Sequence, residues 1–358
     1  MSTEPQKDEA EEAKCKIRSL PKELWPLADR IAWEAACRPG VRLTRGGAAS
    51  HLRPVTQNDL AKRYGYFLDF LSRTKRLCRE AKASAHVTLE NVEQYVEELK
   101  GRVSSVTIYG SIHKLRRITQ LLGPEQELHW LIEIERELFS QMRPRSKWDR
   151  VVLAEVIIEA GLTLIAEAEL AVNLPKLTRA RMVRNGLMLA LLALCPIRLK
   201  NFAALEIGRS IVKIDDTWWI LLTASETKEK RADERPIEDD LGDAIDKYLK
   251  FYRPILARDR DNTNALWLAI NGEAMAQCSV AEVITDTTRS TLGVAISPHL
   301  FRTAVATTAA IHAGDTPHLG SALLHHRNPI VTLENYNRAS SISAGRAYRD
   351  VIQRFRSK

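Results

Sequence analysis

Apolar side chains recur at helical spacing between residues 52 and 141. Thr56 followed by Asp59 has the capping-box order that predicts a helix start, and an apolar stripe follows it. A second helix is predicted after Thr88, and a third ends at Gly123, a residue suited to a C-cap. The segment HWLIEIERELFSQ adds a further helix. We therefore predict a helical domain over 52–141.

The first 51 residues have a different pattern. An acidic start leads into LPKELWPLADRIAWEAAC, which has helical spacing, and then into PGVRLTRGGAAS, which is rich in Pro, Gly and small residues. This order predicts a helical arm and a flexible joint over 1–51. The acidic start lacks the basic and apolar parts of a signal peptide. Because the five cysteines are also scattered and odd in number, we expect a protein of the reducing cytoplasm.

The segment MRPRSKWDR marks the clearest boundary in the chain. It holds four basic residues, and Pro144 favours an extended backbone before it. We predict a basic linker over 142–152 and a second domain over 153–358. The apolar run GLMLALLALCPI in that domain is much shorter than the roughly 20 residues of a membrane span. It predicts a buried helix, and we expect no membrane association.

Strand patterns are confined to the middle of the second domain. SIVKIDDTWWILLTASE is rich in Ile, Val, Trp and Thr, has a polar turn at Asp215 and Asp216, and continues through a charged loop to RPIE. This predicts a three-stranded antiparallel sheet. The segment ALWLAI, followed by Asn271 and Gly272, is either another strand or buried chain. The fold class is therefore mainly α with a small antiparallel β-sheet (α+β).

The composition adds a preference for a polyanionic partner. The formal net charge is +8, from 53 Lys and Arg against 45 Asp and Glu, while 45% hydrophobic residues exclude wholesale disorder. The basic residues of the third helix lie off its apolar stripe. Together with the linker they are either a solvated surface or DNA-phosphate contacts. The candidate contacts are Lys114, Arg116, Arg117, Arg143, Arg145 and Lys147.

Arg198 directly follows the long apolar helix in CPIRLKNFAALEI. Its guanidinium is predicted to emerge at the edge of a core, where an unpaired charge is costly, so it needs an anion. One partner is a structural carboxylate such as Glu206. The other is a phosphate, which a guanidinium binds through two parallel hydrogen bonds.

A histidine and an arginine share one predicted helix start in ISPHLFRTAVATTAA. Ser297 is the expected N-cap and Pro298 the first helical residue. His299 and Arg302 are three residues apart, which predicts one helix face in the first turn, where the helix dipole favours an anion. An imidazole that exchanges protons beside a fixed positive charge suits phosphate chemistry. A chance surface pair is the alternative.

The segment LLHHRNPIVTLENYNRA places His325 and His326 between two helical stretches, with Tyr336 after them. Tyr336 is either an ordinary half-buried tyrosine or a nucleophile, and a phenol with a pKa of about 10 needs activation to be the latter. Histidines are frequent in this region, but no acidic or cysteine ligand recurs at zinc-like spacing. We expect no metal site.

Taken in order, these pieces resemble the tyrosine recombinase family, also called the phage-integrase family, over most of the chain from about residue 52. The family pattern is an arginine after an apolar helix, a lysine in a β-hairpin, a His-x-x-Arg pair, a His or Trp, and a C-terminal tyrosine. The joint match is specific, although no single element is. The matching residues are Arg198, Lys228, His299, Arg302, His326 and Tyr336.

Three positions depart from the family pattern. An acidic residue usually follows shortly after the first arginine, and Asn201 stands in its place. The usual glycine before the histidine is His325, which leaves His325 and His326 as alternatives. Lys230 competes with Lys228 for the hairpin role, although Thr227-Lys228 is closer to the usual Thr-Lys pair.

The resemblance implies a helical DNA core-binding domain followed by a mixed catalytic domain. It implies that Tyr336 attacks a phosphodiester held by Arg198 and Arg302, forming a 3′-phosphotyrosine without metal, ATP or another cofactor. Lys228 would protonate the leaving 5′-oxygen. In the same pattern, His299 would handle the tyrosine proton and His326 would bind the phosphate.

The partners implied are double-stranded DNA with a specific recombination site and further copies of the chain, four in the synapse. A mobile element and a nucleoid-associated, cytoplasmic location fit this activity. Two alternatives remain: a catalytically inactive DNA-binding relative, and a type IB topoisomerase-like relaxase. Neither the target sequence nor the choice among integration, excision, inversion and resolution follows from the residues.

Overall fold

A computed structural model describes residues 18–42, 45–144, 150–237, 239–258, 263–312 and 319–324, with single positions at 349 and 353. The chain divides into two compact units, Met1–Arg145 and Ser146–Lys358, called here the first and second units. The predicted site residues His325, His326 and Tyr336, and the predicted DNA contacts Arg145 and Lys147, lie outside the described residues.

The first unit is helical throughout its regular elements. A 3₁₀ turn at Lys22–Leu24 precedes α1 (Leu27–Cys37), α2 (Pro54–Arg73), α3 (Leu89–Lys100), α4 (Ser105–Leu122) and α5 (His129–Ser140). The inward faces of α2 and α4 supply most of the largest fully buried side chains of this unit. The periodic apolar stripes therefore become the core, as their spacing predicts.

The predicted helix starts are only partly correct. Thr88 caps α3, because its side chain accepts a hydrogen bond from the Asn91 N–H at 3.3 Å. The prediction of Thr56 as an N-cap is wrong. Helix α2 begins at Pro54 with Arg53 as its N-cap, since proline fits the first helical position and needs no N–H partner there. Gly123 follows the last residue of α4, as predicted.

The segment predicted as an arm packs into the first unit. Trp25 and Trp33 are each 4% exposed and belong to the same apolar core as α2 to α5. The carboxylate of Asp29 is buried and accepts hydrogen bonds from the Tyr64 hydroxyl at 2.9 Å and the Ser84 N–H at 2.6 Å. The described part of 1–51 is therefore not a separate arm. Its apolar side chains join the core formed by α2 to α5, which spacing within the segment alone does not reveal.

The second unit alternates helices with one small sheet. Its elements are α6 (Ala154–Leu170), α7 (Lys176–Leu194), α8 (Leu199–Ala203), β1 (Ile211–Ile214), β2 (Thr217–Leu222), β3 (Asp233–Ile237), α9 (Asp239–Lys247), a π-helical turn (Tyr248–Tyr252), α10 (Arg253–Ala257), α11 (Gln277–Leu292), α12 (Pro298–His312) and α13 (Leu319–Leu323).

The sheet is antiparallel with strand order β1-β2-β3, which confirms the predicted three-stranded sheet. Ile214 pairs with Thr217 across a two-residue turn, and both turn residues, Asp215 and Asp216, have positive φ angles of 46° and 66°. Such angles match the twist of a tight hairpin. The segment 265–270 is mostly buried chain, with isolated bridges at Ala265 and Leu268 in place of a regular strand.

Helix α7 lies at the centre of the second core. Its apolar run from Leu187 to Ala193 is almost entirely buried, as the sequence predicts. It approaches α6 closely at Gly161 and Gly186, where a Cβ added to Gly161 would lie 2.6 Å from the Gly186 carbonyl oxygen. Within the described ranges, no helix is both long and apolar enough to cross a membrane. The mainly α fold with a small antiparallel sheet is confirmed.

Candidate active site

Arg198 begins a short helix at the edge of the second core. It is the N-cap of α8, directly after the buried residues Cys195, Pro196 and Ile197 that follow α7, and its side chain is 31% exposed. Its Nη2 donates a hydrogen bond to Glu229 Oε1 at 3.2 Å. The suggested carboxylate partner, Glu206, was the wrong one, since it accepts a hydrogen bond from Arg209. Arg198 thus has a carboxylate partner, and that partner comes from the β2–β3 loop.

The β2–β3 loop, residues 223–232, carries Lys228 and Glu229 and is held by its own side chains. The Thr227 hydroxyl donates to the Arg231 carbonyl oxygen at 2.7 Å and accepts from the Arg231 N–H at 3.1 Å. Glu226 accepts from the Thr223 N–H at 2.9 Å. Lys228 is exposed. The Arg198–Glu229 pair therefore brings the loop of the candidate lysine to the first candidate arginine.

Helix α12 supplies the second arginine. The helix begins at Pro298, as predicted, and Arg302 is 6% exposed. Arg302 Nη1 donates to the Pro196 carbonyl oxygen, and Nη2 donates to the Leu324 carbonyl oxygen at 2.6 Å. His299 is exposed, so the two side chains predicted on one face differ in burial. The backbone bonds give Arg302 a structural role that the sequence does not reveal.

Four candidate segments meet through these contacts. Pro196 lies two residues before Arg198, and Leu324 lies immediately before His325. Arg302 therefore joins the Arg198 segment to the start of the histidine segment, and Glu229 adds the β2–β3 loop. These segments are far apart in the sequence, so their convergence is a property of the fold.

A buried ion pair lies on β3. Arg235 donates from Nε and Nη2 to the two carboxylate oxygens of Asp233 at 2.8 and 2.9 Å, and both residues are buried.

Cys195, also buried, is one residue before Pro196, and burial raises the pKa of its thiol to about 12. A thiol held protonated is a poor nucleophile. Cys195 is therefore a packing residue rather than a competitor for the chemistry.

The candidate DNA contacts of α4 are largely engaged within the first unit. Lys114 Nζ lies 2.6 Å from Asp59 Oδ2, and Arg116 donates to Glu135 and to Gln120. Burial acts to raise the pKa of Glu135, but hydrogen bonds from Arg116 and His113 lower it below its ordinary value. Arg117, by contrast, forms no ion pair with another residue in the described ranges. Its charge is the most accessible of the three for a phosphate.

Arg143 lies beyond the end of α5. Its side chain is exposed, and its backbone N–H donates to the Ser105 hydroxyl at 2.9 Å.

The described residues contain no group of three or more His, Cys, Asp or Glu side chains placed to hold a metal ion. His318, His325 and His326 lie outside that part of the chain.

Sequence reasoning missed Glu229. The stretch TASETKEKRADERPI contains several acidic residues between its lysines and arginines, and no spacing within it distinguishes the one that reaches Arg198. The only available signal was indirect. An arginine at the edge of a core needs an anionic partner, but this requirement does not identify which acid supplies it.

No family model and no curated protein matches the sequence. Solved structures do match. The XerH site-specific recombinase bound to palindromic difH substrate, in a post-cleavage complex, has a TM-score of 0.54 and 12% identity, with 82% of this chain and 80% of that chain covered. The XerH pre-cleavage complex with difH has a TM-score of 0.54 and 14% identity, with coverages of 81% and 79%.

The Tn1549 transposon integrase in complex with transposon right end DNA is also similar, with a TM-score of 0.47, 14% identity, and coverages of 85% and 97%. The likeness to XerH extends over most of both chains. Sequence identity is low throughout, so the likeness is one of fold. The resemblance inferred from the residues is confirmed at that level: the chain has the fold of the tyrosine recombinases.

Proposed function

We propose that this chain is a site-specific DNA recombinase or integrase that cuts and rejoins strands through a 3′-phosphotyrosine at Tyr336. The observation that carries the proposal is the pair of backbone bonds made by Arg302 to Pro196 and Leu324. They join the backbone two residues before Arg198 to the backbone immediately before His325. A composite phosphate site requires such contacts between segments that are distant in the sequence.

The proposed chemistry is a metal-free transesterification. The Tyr336 oxygen attacks phosphorus and loses its proton to His299, while Lys228 protonates the leaving 5′-oxygen. The phosphodiester is exchanged for a phosphotyrosine ester and a free 5′-hydroxyl, and a second DNA 5′-hydroxyl reverses the step. No external energy is needed, because one phosphodiester-like bond replaces another.

The positive groups have a separate task. Arg198 and Arg302 offset the charge that builds on the non-bridging oxygens in the transition state, and His326 adds a hydrogen bond. Arg198 suits this task because it is partly exposed and has one side-chain hydrogen bond, to Glu229, among the described residues. A guanidinium has five N–H donors, so that contact is compatible with a bound phosphate.

DNA is the proposed partner, and the XerH structures of the same fold contain their difH substrate. The first unit is proposed to be the core-binding domain and the second unit the catalytic domain. Of the candidate DNA contacts, Arg117 and Arg143 are proposed to bind phosphates outside the active site. Assembly of four copies on two duplexes, in the nucleoid, completes the proposal. The binding should weaken steeply with salt.

A covalent-trapping assay tests the activity. The substrates are duplexes that tile the DNA flanking the coding gene, each nicked so that the 5′-hydroxyl fragment leaves after cleavage. We expect one duplex to give a protein–DNA adduct that survives denaturation, and Tyr336→Phe to give none. Binding without any adduct would instead support an inactive relative. Relaxation of supercoiled DNA without a specific site would support a topoisomerase-like enzyme.

A further inference from the structure

Among the described residues, the one carboxylate that contacts Arg198 belongs to a residue that the family pattern does not include. The family pattern places an acid shortly after the first arginine, whereas Asn201 stands there in this chain. We infer that Glu229 is the positioning residue for Arg198, supplying from the β2–β3 loop the negative charge that α8 lacks. This inference rests on the proposed function. It assigns Glu229 no contact with DNA or with the reacting atoms.

Asn201 is not suited to orient Arg198 electrostatically. Its amide is neutral, and its backbone N–H donates to the Arg198 carbonyl oxygen at 2.8 Å as part of the α8 turn. Glu229 carries the charge that matches the guanidinium, and its Oε1 lies 3.2 Å from Arg198 Nη2. A charge-assisted hydrogen bond of this kind restricts a long side chain more than a neutral one does.

The environment of the pair favours orientation over a chance surface contact. The side chains of Arg198 and Glu229 are 31% and 25% exposed, so both are largely shielded from solvent. Exposed pairs on long side chains are often energetically negligible, because solvent screens them and both side chains lose entropy. Partial burial reduces the screening and also limits the space in which each side chain moves.

The loop fixes the position of Glu229. The hydroxyl of Thr227, a residue that is 3% exposed, donates a hydrogen bond to the Arg231 carbonyl oxygen and accepts one from the Arg231 N–H. Glu229 lies between these two residues in the sequence. Lys230 completes the turn with a positive φ of 55°. Because Glu229 lies within this closed turn, its carboxylate is held in a fixed position beside Arg198 at the start of α8. Lys228 is adjacent to Glu229 in the sequence.

The contact occupies one end of the guanidinium. The bond uses one of the five N–H donors of Arg198, which leaves a side for two parallel bonds to a phosphate. A carboxylate that competed with the phosphate would instead slow catalysis when present. If Glu229 orients Arg198, its removal should therefore slow cleavage. If Glu229 competes with the phosphate, its removal should speed cleavage.

The test uses Glu229→Ala and Glu229→Gln, with Glu226→Ala as the matched control. Glu226 lies in the same loop, but it accepts hydrogen bonds from Thr223 and Arg209, not from Arg198. In single-turnover cleavage of the trapped duplex, we expect Glu229→Ala to lower the rate about 10- to 100-fold, the loss typical of metal sites when a group that orients a ligand is removed. Glu229→Gln should recover part of the rate, and the DNA Kd should change little. A rate at or above the parent rate in Glu229→Ala would overturn the inference.

A double-mutant cycle separates orientation of Arg198 from a general loss of structure. In an Arg198→Ala background, Glu229→Ala should have little further effect on the cleavage rate, since the group it orients is gone. A full additional loss in that background would show that Glu229 acts elsewhere and would overturn the inference. Melting temperatures of all variants identify any that fail to fold.

A second readout does not depend on cleavage. Phenylglyoxal modifies accessible guanidinium groups, and mass spectrometry locates the modified arginine. In the DNA-free protein, we expect Arg198 to react several times faster in Glu229→Ala than in the parent, and at the parent rate in Glu226→Ala. Equal rates in all three proteins would overturn the pairing itself. Faster modification with no covalent DNA adduct in the parent would retain the pairing and reject the proposed function.

Discussion

The guanidinium of Arg302 donates a hydrogen bond to the carbonyl oxygen of Leu324 at 2.6 Å. This bond ties helix α12 to the end of α13, one residue before the segment that carries the candidate histidines. The same side chain donates to the Pro196 carbonyl oxygen, next to the Arg198 segment. Arg302 is thus both a proposed phosphate ligand and a structural link.

The structural role of Arg302 gives the first prediction. Arg302→Ala should lower the free energy of unfolding of the second unit by about 3 kcal/mol or more, because two buried carbonyl groups lose a charged donor. Arg302→Lys should lose less, since an ammonium can reach one of the two carbonyls. Denaturant unfolding measures both. Arg289→Ala, which removes an exposed arginine paired with Asp286, is the control and should change stability by less than about 0.5 kcal/mol.

The buried carboxylate of Asp29 gives the second prediction, for the first unit. Asp29→Ala should destabilise this unit by about 2–4 kcal/mol, because the Tyr64 hydroxyl and the Ser84 N–H lose their common acceptor. Glu34→Ala on the exposed face of the same helix is the matched control. If the two variants unfold at the same denaturant concentration, α1 is not anchored to α2 in solution.

His86 gives a pH prediction. Burial lowers the pKa of this imidazole, while the carboxylate of Asp29 and a backbone hydrogen bond with Cys78 act in the opposite direction. The folded protein therefore resists protonation more than the unfolded chain, whose ordinary histidine pKa is about 6.5. The contribution to stability is present above that pH and is lost as the pH falls below it.

Thermal unfolding between pH 8 and 5 tests this contribution. The parent should lose more stability on acidification than His86→Leu, in which the imidazole is absent. Burial raises the pKa of Asp29, which gives an effect of opposite sign, lost as the pH rises through the raised pKa. Asp29 is present in both proteins, so the difference between them isolates most of the histidine effect. Parallel curves would contradict the prediction.

The choice between Lys228 and Lys230 is tested by changing the leaving group. A duplex with sulfur in place of the bridging 5′-oxygen releases a thiolate, which needs no general acid. Lys228→Ala should cleave the ordinary duplex at least about 100-fold more slowly than the parent, and it should recover most of that loss on the sulfur duplex. Lys230→Ala should cleave both at near-parent rates. The reverse pattern would transfer the role to Lys230.

Much of the architecture follows from local pattern. The apolar stripe of α4, the buried run of α7 and the tight turn at Asp215 and Asp216 are each encoded by neighbouring residues. The start of α2 was misplaced because two local signals competed, and proline at the first helical position prevailed over the Thr56 capping pattern. Helix starts are sensitive to such competition.

The contacts of Asp29 and Arg198 with residues distant in the sequence could not be predicted from local sequence patterns. Nothing near Asp29 in the sequence indicates that Tyr64 and Ser84 provide its donors, so α1 seemed to be an arm. The partner of Arg198 is 31 residues away, and neighbouring acids in the same loop are chemically equivalent to it. Which of them reaches the arginine depends on the fold of the loop, not on local spacing.

The central claim is that Tyr336 becomes covalently joined to DNA. The most direct measurement is peptide mapping by mass spectrometry of the adduct trapped on a nicked target duplex. We expect a single peptide whose mass is increased by a 3′-phosphoryl nucleotide, with fragmentation placing the nucleotide on Tyr336. An adduct on any other residue, or an adduct that persists in Tyr336→Phe, would contradict the account.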